Sequence, residues 1–533
     1  MHEKESLTMI AKRMKTVGVR IAGVLMLLAF CLSAARPAPV EASGVDVDAL
    51  IAQMTLDEKL SMLHGATDPN SLGQAGYVPG VPRLGIPELR LADGPAGVRV
   101  TASATAMSAP VSLAATFDPD LAYQFGQVIG REGRALGQDV LLSPMVNLVR
   151  VPYAGRNFET MGEDPFLAAQ IMHQEVSGIQ DEGLIATIKH YAANNQENNR
   201  SRVNANVDEQ TLHEMYLPGF EAAIEAGSGA VMCAYNRVNG TYACENEYLL
   251  TEVLRNQWGF EGWVMTDWGA QHPSGIYALL AGLDMEMPRA RAFGDDLKQA
   301  VLDGIIPETM VDQAVRRILV QMDKVGLLDG TIGPRPTIDV QADAEVARQV
   351  ATSGAVLLKN DGKVLPLKFD DLRSLAVIGP TARSLLVGGG GSARVIGFTE
   401  REVSPMEALI ELADPRANIT YAPGIDLDGV PVPASVLTPE GGDPGDEGLL
   451  RENRDTGETQ IDPEVNYVGE NTLPAGSRWR WTGTLSVPTS GTYNLMVQTA
   501  GGRGELRLDG QRIARTGGLF GGGSLIPTAD GLM

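Results

Sequence analysis

The sequence predicts an α/β protein built around a TIM-like (β/α) barrel. Between residues 45 and 328, short apolar runs repeatedly end in polar clusters and are followed by segments with helical patterning. Buried strands that alternate with helices favour a parallel sheet, and six or more such units favour a closed barrel. Hydrophobic residues make up 44% of the 533 residues, enough to bury a sizeable core. We assign residues 43–333 to this barrel.

The predicted strands lie at residues 89–91, 140–142, 185–188, 230–232, 263–266 and 278–283. The clearest helical patterns are residues 119–136, with Asp118 as N-cap, and residues 208–226. Because the carboxyl ends of barrel strands carry the chemistry in this architecture, the polar residues after each strand are candidate site residues.

Two further units follow the barrel. Residues 334–341 form a predicted linker, and residues 342–436 read as the first part of an α/β sandwich, with a helix at 343–359 and a strand at 374–379. The glycine-rich loop at 388–391 lacks the Lys-Ser/Thr pair of a phosphate loop, so nucleotide binding is the weaker explanation. Residues 437–533 have all-β texture, with strands at 493–497 and 505–508 and a hairpin turn at Asp509-Gly510.

The first 42 residues have the pattern of a signal peptide. Basic residues precede an apolar run at 21–32, and small residues follow it. The run is too short for a stable bilayer anchor, and Phe30 before Cys31 disfavours lipidation. We therefore expect an exported protein (periplasmic or secreted), in which Cys233 and Cys244 can form a disulfide; two buried free thiols are the alternative.

The charge balance limits the partners. With 43 Lys and Arg against 66 Asp and Glu, the net charge is −23. This charge disfavours nucleic acid and anionic membranes as partners, and neutral substrates fit better.

The residues after the strands are typical of a site for neutral polyols. They are the carboxylates Asp93, Asp267 and Asp284, the basic residues Lys189, His190 and Arg200, and Asn194, Asn195, Tyr235 and Trp268. Glycoside hydrolysis uses isolated carboxylates without a cofactor, one as nucleophile and one as acid. Asp267 is the best nucleophile candidate because it ends an apolar strand and precedes Trp268; a helix N-cap is the alternative.

Metal and serine chemistries have less support. His213-Glu214 lacks the second His of a zinc-protease helix, and no Gly-x-Ser-x-Gly elbow occurs. We predict neither a metal nor a cofactor.

Six motifs resemble those of family 3 glycoside hydrolases of the β-glucosidase type. They are DGPAGVR at 93–99, GRNFE at 155–159, KHYAANNQENNR at 189–200, MCAYNRVNG at 232–240, VMTDW at 264–268 and GLDMEMP at 282–288. The resemblance covers residues 45–423 and implies a TIM-like barrel followed by an α/β sandwich. It disfavours the N-acetylglucosaminidase branch, because Ala193-Asn194 stand where that branch has Gly-His.

The resemblance also implies roles for individual residues. Asp267 would be the nucleophile of a retaining mechanism, and Tyr235 would orient its carboxylate. The residues implied to bind the terminal sugar are Asp93, Arg99, Arg156, Lys189, His190, Arg200, Tyr235, Trp268 and, as a weaker candidate, Ser392. Arg156 and Arg200 could equally support neighbouring carboxylates.

The residues from 437 onward resemble the start of a PA14 module, with a jelly-roll carbohydrate-binding module as the rival. In the family the acid/base Glu follows such an insertion, so we expect it beyond Met533 and expect a C-terminally truncated chain. Glu440, Glu447 and Glu452 read as solvated charges in an acidic linker.

The sequence therefore predicts an exported retaining exo-β-glycosidase, foremost a β-glucosidase, that acts on β-linked oligosaccharides or aryl glycosides. A β-xylosidase or related exo-glycosidase, or a non-catalytic glycan-binding fragment, are the alternatives. The sequence does not indicate the linkage preference or the oligomeric state.

Overall fold

The structure is a computed structural model. It describes residues 44–383, 390–413, 415–424, 430–443, 445–467, 472–474, 476–499 and 502–516. The predicted signal peptide and residues 388–389 of the glycine-rich loop lie outside the described residues. Among those described, no helix has both the length and the hydropathy needed to cross a bilayer.

In chain order the strands are β1 (Gly76–Val78), β2 (Leu89–Asp93), β3 (Val140–Leu142), β4 (Ile185–Tyr191), β5 (Asn204–Ala205), β6 (Ala230–Cys233), β7 (Arg237–Val238), β8 (Thr241–Tyr242), β9 (Trp263–Thr266), β10 (Ser374–Ile378), β11 (Asn418–Ala422), β12 (Leu437–Pro439), β13 (Leu449–Asn453), β14 (Thr459–Asp462), β15 (Trp479–Leu485), β16 (Gly504–Leu508) and β17 (Gln511–Thr516).

The central sheet forms a ring. Strands β2, β3, β4, β6 and β9 are parallel neighbours in that order, and β1 pairs with β2 antiparallel. Two single-bridge contacts continue the ring beyond β9, Met265 with Met285 and Glu286 with His64. The Ala66 N–H then donates to the Tyr77 carbonyl of β1 at 2.9 Å and closes it. The arrangement fits the expected α/β barrel, with one antiparallel member.

Helices surround this ring and continue beyond it. The α-helices are Val47–Gln53, Leu56–Ser61, Pro110–Ala114, Pro119–Ala135, Pro165–Asp181, Glu209–Thr211, Pro218–Glu225, Gly275–Ala281, Asp295–Leu302, Glu308–Lys324, Val340–Ser353 and Pro405–Leu412, and the π-helical segments are Leu212–Tyr216 and Tyr248–Gln257. Asp118 caps its helix as predicted, since its side chain accepts from the Leu121 N–H. Strands β3, β4, β6 and β9 are buried at every residue, as a sheet covered by helices requires.

Two of the predicted elements in the first 360 residues differ from the structure, one in its type and one in its bounds. The apolar run at 278–283 belongs largely to the helix Gly275–Ala281. One side of this helix is buried, whereas Tyr277 and Leu280 on its other side are exposed. The helix predicted at 343–359 begins at Val340 and ends at Ser353, with Asp339 as N-cap. The predicted linker therefore ends inside this helix.

A disulfide joins Cys233 at the end of β6 to Cys244, with the two Cα atoms 5.2 Å apart. It ties the strand that precedes Tyr235 to the short 3₁₀ helix Ala243–Glu245. Both cysteines are fully buried.

The residues after the barrel form smaller sheets. Strands β10 and β11 form a parallel pair. Four further strands form a sheet in the order β12-β15-β13-β14, and each neighbouring pair in it is antiparallel. The hairpin β16–β17 turns at Asp509-Gly510, both at positive φ, as predicted. The strand predicted at 493–497 is irregular, and Glu452 lies in β13 rather than in a linker.

Candidate active site

The predicted site residues of the barrel meet at one end of the sheet. Asp93 ends β2, Lys189 and His190 lie near the end of β4, and Asp267 directly follows β9. Because these strands are parallel neighbours, their carboxyl ends lie on the same side of the barrel. The structure therefore brings together residues that are far apart in sequence.

Asp267 is a buried carboxylate with one oxygen unused. Its Oδ1 accepts from the Trp268 N–H at 2.7 Å, whereas Oδ2 has no hydrogen-bond partner among the described residues. The N-cap alternative does not hold, because the helix that follows begins at Gly275 and is capped by Ser274. Burial raises the pKa of Asp267, while the charges of Arg200 and Arg156 oppose this effect. A carboxylate oxygen without a partner is free to contact a ligand.

His190 lies beside Asp267 in its neutral form. Its Nε2 is 3.4 Å from Asp267 Oδ2 and 3.1 Å from Arg156 Nη1, which can only donate. Burial and the positive charges of Arg156, Lys189 and Arg200 lower the pKa of His190 well below its usual value. The ring therefore presents the Nε2 lone pair to the Arg156 guanidinium.

Asn147 holds His190 in place through three contacts. Its amide N–H donates to the His190 carbonyl at 2.9 Å, and its Oδ1 accepts from the His190 backbone N–H at 2.9 Å. The same Oδ1 lies 3.3 Å from His190 Nδ1, the nitrogen that carries the ring proton. Sequence reasoning missed Asn147, because a single Asn carries no motif of its own.

Asp93 is balanced by two cations. Arg99 Nη1 is 3.1 Å from Asp93 Oδ2, and Lys189 Nζ is 3.3 Å from Oδ1. Each carboxylate oxygen can accept more than one hydrogen bond, so Asp93 keeps the capacity to accept from ligand hydroxyls. Lys189 is only 2% exposed, and this burial fixes its ammonium beside the carboxylate.

Arg156 and Arg200 are supported by glutamates that the sequence did not single out. Arg156 binds Glu159 through two parallel contacts of 3.0 and 2.7 Å, and Arg200 pairs with Glu197. A guanidinium inside a protein needs a nearby carboxylate to balance its charge. The two arginines within the motifs therefore indicated that carboxylates, here Glu159 and Glu197, would lie beside them.

Ser392 reaches this cluster from beyond the barrel. Its hydroxyl accepts from Arg156 Nη2 at 3.1 Å and lies 3.4 Å from Glu159. The weaker sequence candidate thus contacts the same guanidinium that faces His190.

Tyr235 and Trp268 shape the wall next to Asp267. The Tyr235 hydroxyl donates to the Trp268 carbonyl at 3.0 Å, and the Arg200 guanidinium lies 4.2 Å from the Tyr235 ring centroid. The Trp268 indole donates to the Ala75 carbonyl at 3.2 Å. Burial and the charge of Asp267 raise the pKa of Tyr235, so it stays a neutral phenol. Tyr235 thus contacts the backbone of the residue after the nucleophile candidate and also lies beside the Asp267 carboxylate.

Asp284 belongs to the scaffold instead. It is fully buried, with Arg255 and Arg317 each 2.6 Å from one of its carboxylate oxygens, and it accepts from the Val264 N–H at 2.8 Å. Its negative charge is thus balanced by two arginines of the barrel.

Comparison with known proteins shows which family the barrel resembles. Residues 77–320 match the model described as "Glycosyl hydrolase family 3 N terminal domain". This range contains Asp93, Asp267 and the residues between them that were implied to bind a sugar.

Three relatives illustrate the similarity. The chain is 41% identical over 372 residues to a "Beta-glucosidase" of Rhizobium radiobacter, covering 68% of this chain and 44% of the relative. It is 35% identical over 399 residues to an "Exo-alpha-(1->6)-L-arabinopyranosidase" of Bifidobacterium longum, covering 71% and 51%. The crystal structure of DesR, a beta-glucosidase from Streptomyces venezuelae in complex with D-glucose, superimposes with a TM-score of 0.72 at 47% identity, covering 77% of this chain and 54% of DesR.

The chain spans about half the length of these relatives, 44%, 51% and 54% respectively. Residues 77–320 of this chain therefore resemble the N-terminal domain of glycosyl hydrolase family 3.

Proposed function

We propose that this protein is an exo-acting β-glucosidase that retains anomeric configuration and uses Asp267 as its nucleophile. The observation that carries the proposal is the free Oδ2 of Asp267, buried at the carboxyl end of the barrel among hydrogen-bonding groups. The names of the relatives, including a glucosidase structure with bound glucose, support glucose as the sugar.

In the proposed reaction, Asp267 Oδ2 attacks the anomeric carbon as the bond from that carbon to the leaving oxygen breaks. The leaving oxygen takes a proton from an acid, and water later cleaves the glycosyl ester with the opposite proton transfer. Glu159 and Glu197 are held by Arg156 and Arg200, so we assign neither of them the acid role.

A mechanism-based label tests the nucleophile directly. 2,4-Dinitrophenyl 2-deoxy-2-fluoro-β-D-glucoside has a leaving group that departs without a proton, and its fluorine slows release of the glycosyl ester. We expect peptide mass spectrometry to find the label on Asp267. Asp267→Asn should stay unlabelled, and the exposed Asp303→Asn should label like the unmodified protein. A label on another residue would contradict the assignment.

A second candidate within the same chemistry is an exo-glycosidase for a pentose, supported by the name of the Bifidobacterium longum relative. Parallel labelling with the 2-fluoro-β-xyloside and the 2-fluoro-α-L-arabinopyranoside decides between them. Faster labelling by a pentoside than by the glucoside would replace glucose as the proposed sugar. Glucose binding without labelling by any of the three would favour the glycan-binding alternative.

We also propose that the protein is exported. The residues at 1–42 have the charge and apolar pattern of a signal peptide, and the Cys233–Cys244 disulfide suits an oxidising compartment. Amino-terminal sequencing of protein recovered outside the cytoplasm should begin near residue 36 or 43. Recovery only from the cytoplasm with an intact amino terminus would refute export.

A further inference from the structure

His272 lies five residues after Asp267, outside the cluster that faces the sugar, and both of its ring nitrogens meet oxygen acceptors. Nδ1 is 3.0 Å from the Ala270 carbonyl, and Nε2 is 3.1 Å from Glu286 Oε1, within ion-pair distance although the two atoms are not aligned for a hydrogen bond. A carbonyl only accepts, and so does an ionised carboxylate. An unprotonated Nε2 would place its lone pair 3.1 Å from a carboxylate oxygen, so the geometry favours a proton on each ring nitrogen when Glu286 is ionised.

Glu286 is held as a carboxylate by the chain around it. Its Oε2 accepts from the backbone N–H groups of Arg291, Ala292 and Phe293 at 2.8, 2.9 and 2.9 Å. Burial raises the pKa of Glu286, but the contact with His272 and these N–H groups outweigh burial and lower it overall. Three N–H donors on one oxygen favour the charged form.

Two acidic groups act on the charge of His272. Glu286 makes the close contact, and Glu245, which accepts from the Ser274 N–H at 3.0 Å, adds a second negative charge. Burial lowers the pKa of His272, but the contacts with Glu286 and the Ala270 carbonyl raise it overall. The Phe293 ring covers the imidazole edge-on at 6.2 Å between centroids.

The contacts of His272 lie on both sides of the turn that begins at Asp267. The Ala270 N–H donates to the Asp267 carbonyl at 3.0 Å, and the Gly269 N–H donates to the Met287 carbonyl at 3.0 Å. His272 thus links Ala270, at the end of this turn, to Glu286, next to Met287 on the neighbouring segment. A side chain that bridges the two holds the backbone of Asp267 against the barrel wall.

We propose that His272 is a positioning residue that, as an imidazolium between the Ala270 carbonyl and Glu286, fixes the turn carrying Asp267. It acts through the backbone and does not contact the sugar. The consequence for catalysis rests on the proposed function, whereas the consequence for the order of the turn does not.

The proposal has a defined dependence on pH. The pKa of His272 is higher in the folded protein than in the unfolded chain. Its stabilising contribution is therefore fully present below the unfolded pKa, near 6.5, and is lost as pH rises through the folded pKa. The turn should loosen on the alkaline side.

The protonation state can be read directly by NMR of the full chain labelled with ¹⁵N-histidine. We expect His272, identified by its absence in His272→Gln, to show two protonated ring nitrogens at pH 7. His190 should show one. A neutral His272 ring at pH 7 would overturn the proposal.

Hydrogen exchange tests the effect on the turn. After correction for intrinsic rates, we expect exchange in the peptide spanning residues 267–275 to rise with pH through the His272 titration. In His272→Gln it should be about tenfold faster at pH 7 and independent of pH, as expected for a lost charged contact worth about 1.4 kcal/mol. His173→Gln, a half-buried histidine of the outer helix Pro165–Asp181, should match the unmodified protein. Unchanged exchange in His272→Gln would overturn the proposal.

Labelling separates this inference from the proposed function. If the fluoroglucoside labels Asp267, His272→Gln should slow labelling most at low pH, where the unmodified protein retains its imidazolium. If nothing is labelled while the NMR and exchange results hold, the proposed function fails and the positioning role stands. An unchanged labelling rate in His272→Gln would remove the catalytic part of the inference.

Discussion

The surroundings of Asp267 and Asp284 differ, although both are buried carboxylates in the same part of the barrel. Asp284 has an arginine on each oxygen, whereas Asp267 has one backbone N–H and an oxygen without a partner among the described residues. Glu175, in the helix layer, is less satisfied than Asp267, because neither of its carboxylate oxygens has a hydrogen-bond partner among those residues. A carboxylate whose charge is fully paired stabilises the scaffold, and one left unpaired is available for chemistry or costs stability.

The largest effect is expected for Asp267→Asn. We predict that the labelling rate falls at least about 10³-fold, because the attacking carboxylate is lost. This corresponds to an increase of about 4 kcal/mol in the activation free energy. Because burial raises the pKa of Asp267, ionising it costs stability as pH rises, and Asn removes that cost. Thermal unfolding should therefore show the variant at least as stable as the unmodified protein at pH 7, with the difference shrinking toward pH 3. A destabilised variant would mean that Asp267 is part of the scaffold.

Asp284→Asn should show the opposite pattern. It leaves Arg255 and Arg317 without their carboxylate, and removing one partner of a buried ion pair costs about 3 kcal/mol. Urea unfolding measures this loss, with the exposed Asp303→Asn as control. A stable Asp284→Asn that cannot be labelled would reverse our assignment of the two carboxylates.

Glu175→Gln tests the carboxylate with neither oxygen paired. Burial raises the pKa of Glu175 to about 8. Between the unfolded value, near 4.3, and pH 8 the native protein should lose stability relative to the variant, by about 3 kcal/mol at pH 7. Urea unfolding at pH 5, 7 and 9 should show the gap widen and then level off. A gap that does not change with pH would mean that Glu175 has an unrecognised partner.

Arg156→Lys probes the support of the site. Lys cannot reproduce the paired contacts to Glu159, and we expect glucose affinity to fall by about 2 kcal/mol, as for a lost charged hydrogen bond. Isothermal calorimetry with glucose measures this loss, and Arg348→Lys on the surface is the control. An unchanged affinity would place Arg156 outside the sugar site.

Ser392→Ala should have the smallest effect, about 1 kcal/mol in the same calorimetric measurement, because it removes one hydrogen bond from an Arg156 guanidinium that keeps both of its contacts to Glu159. A loss as large as that of Arg156→Lys would instead indicate that Ser392 contacts the sugar itself.

The barrel could be predicted where local pattern and tertiary structure agree. The strands at 140–142 and 263–266 match the apolar runs residue for residue, because these strands are buried on every side. The run at 278–283 could not be assigned by pattern, since a short apolar run fits both a strand and a buried helix turn.

The site could be predicted in its residue types but not in its pairings. The motifs supplied Asp267, Lys189 and His190, yet nothing in them indicated opposite protonation for two histidines. His190 is kept neutral by cations, and His272 is charged between acidic groups. Such differences depend on neighbours far apart in sequence, which only the folded chain brings together.

The contact between Arg156 and Ser392 joins residues 236 positions apart. During synthesis at about 5 to 20 residues per second, Ser392 follows Arg156 on the order of ten to fifty seconds later. For that interval the nascent barrel holds the guanidinium through Glu159, His190 and Glu197, without the contact to Ser392. The contact that Ser392 adds to the pocket thus forms only after the barrel that supports it has been synthesised.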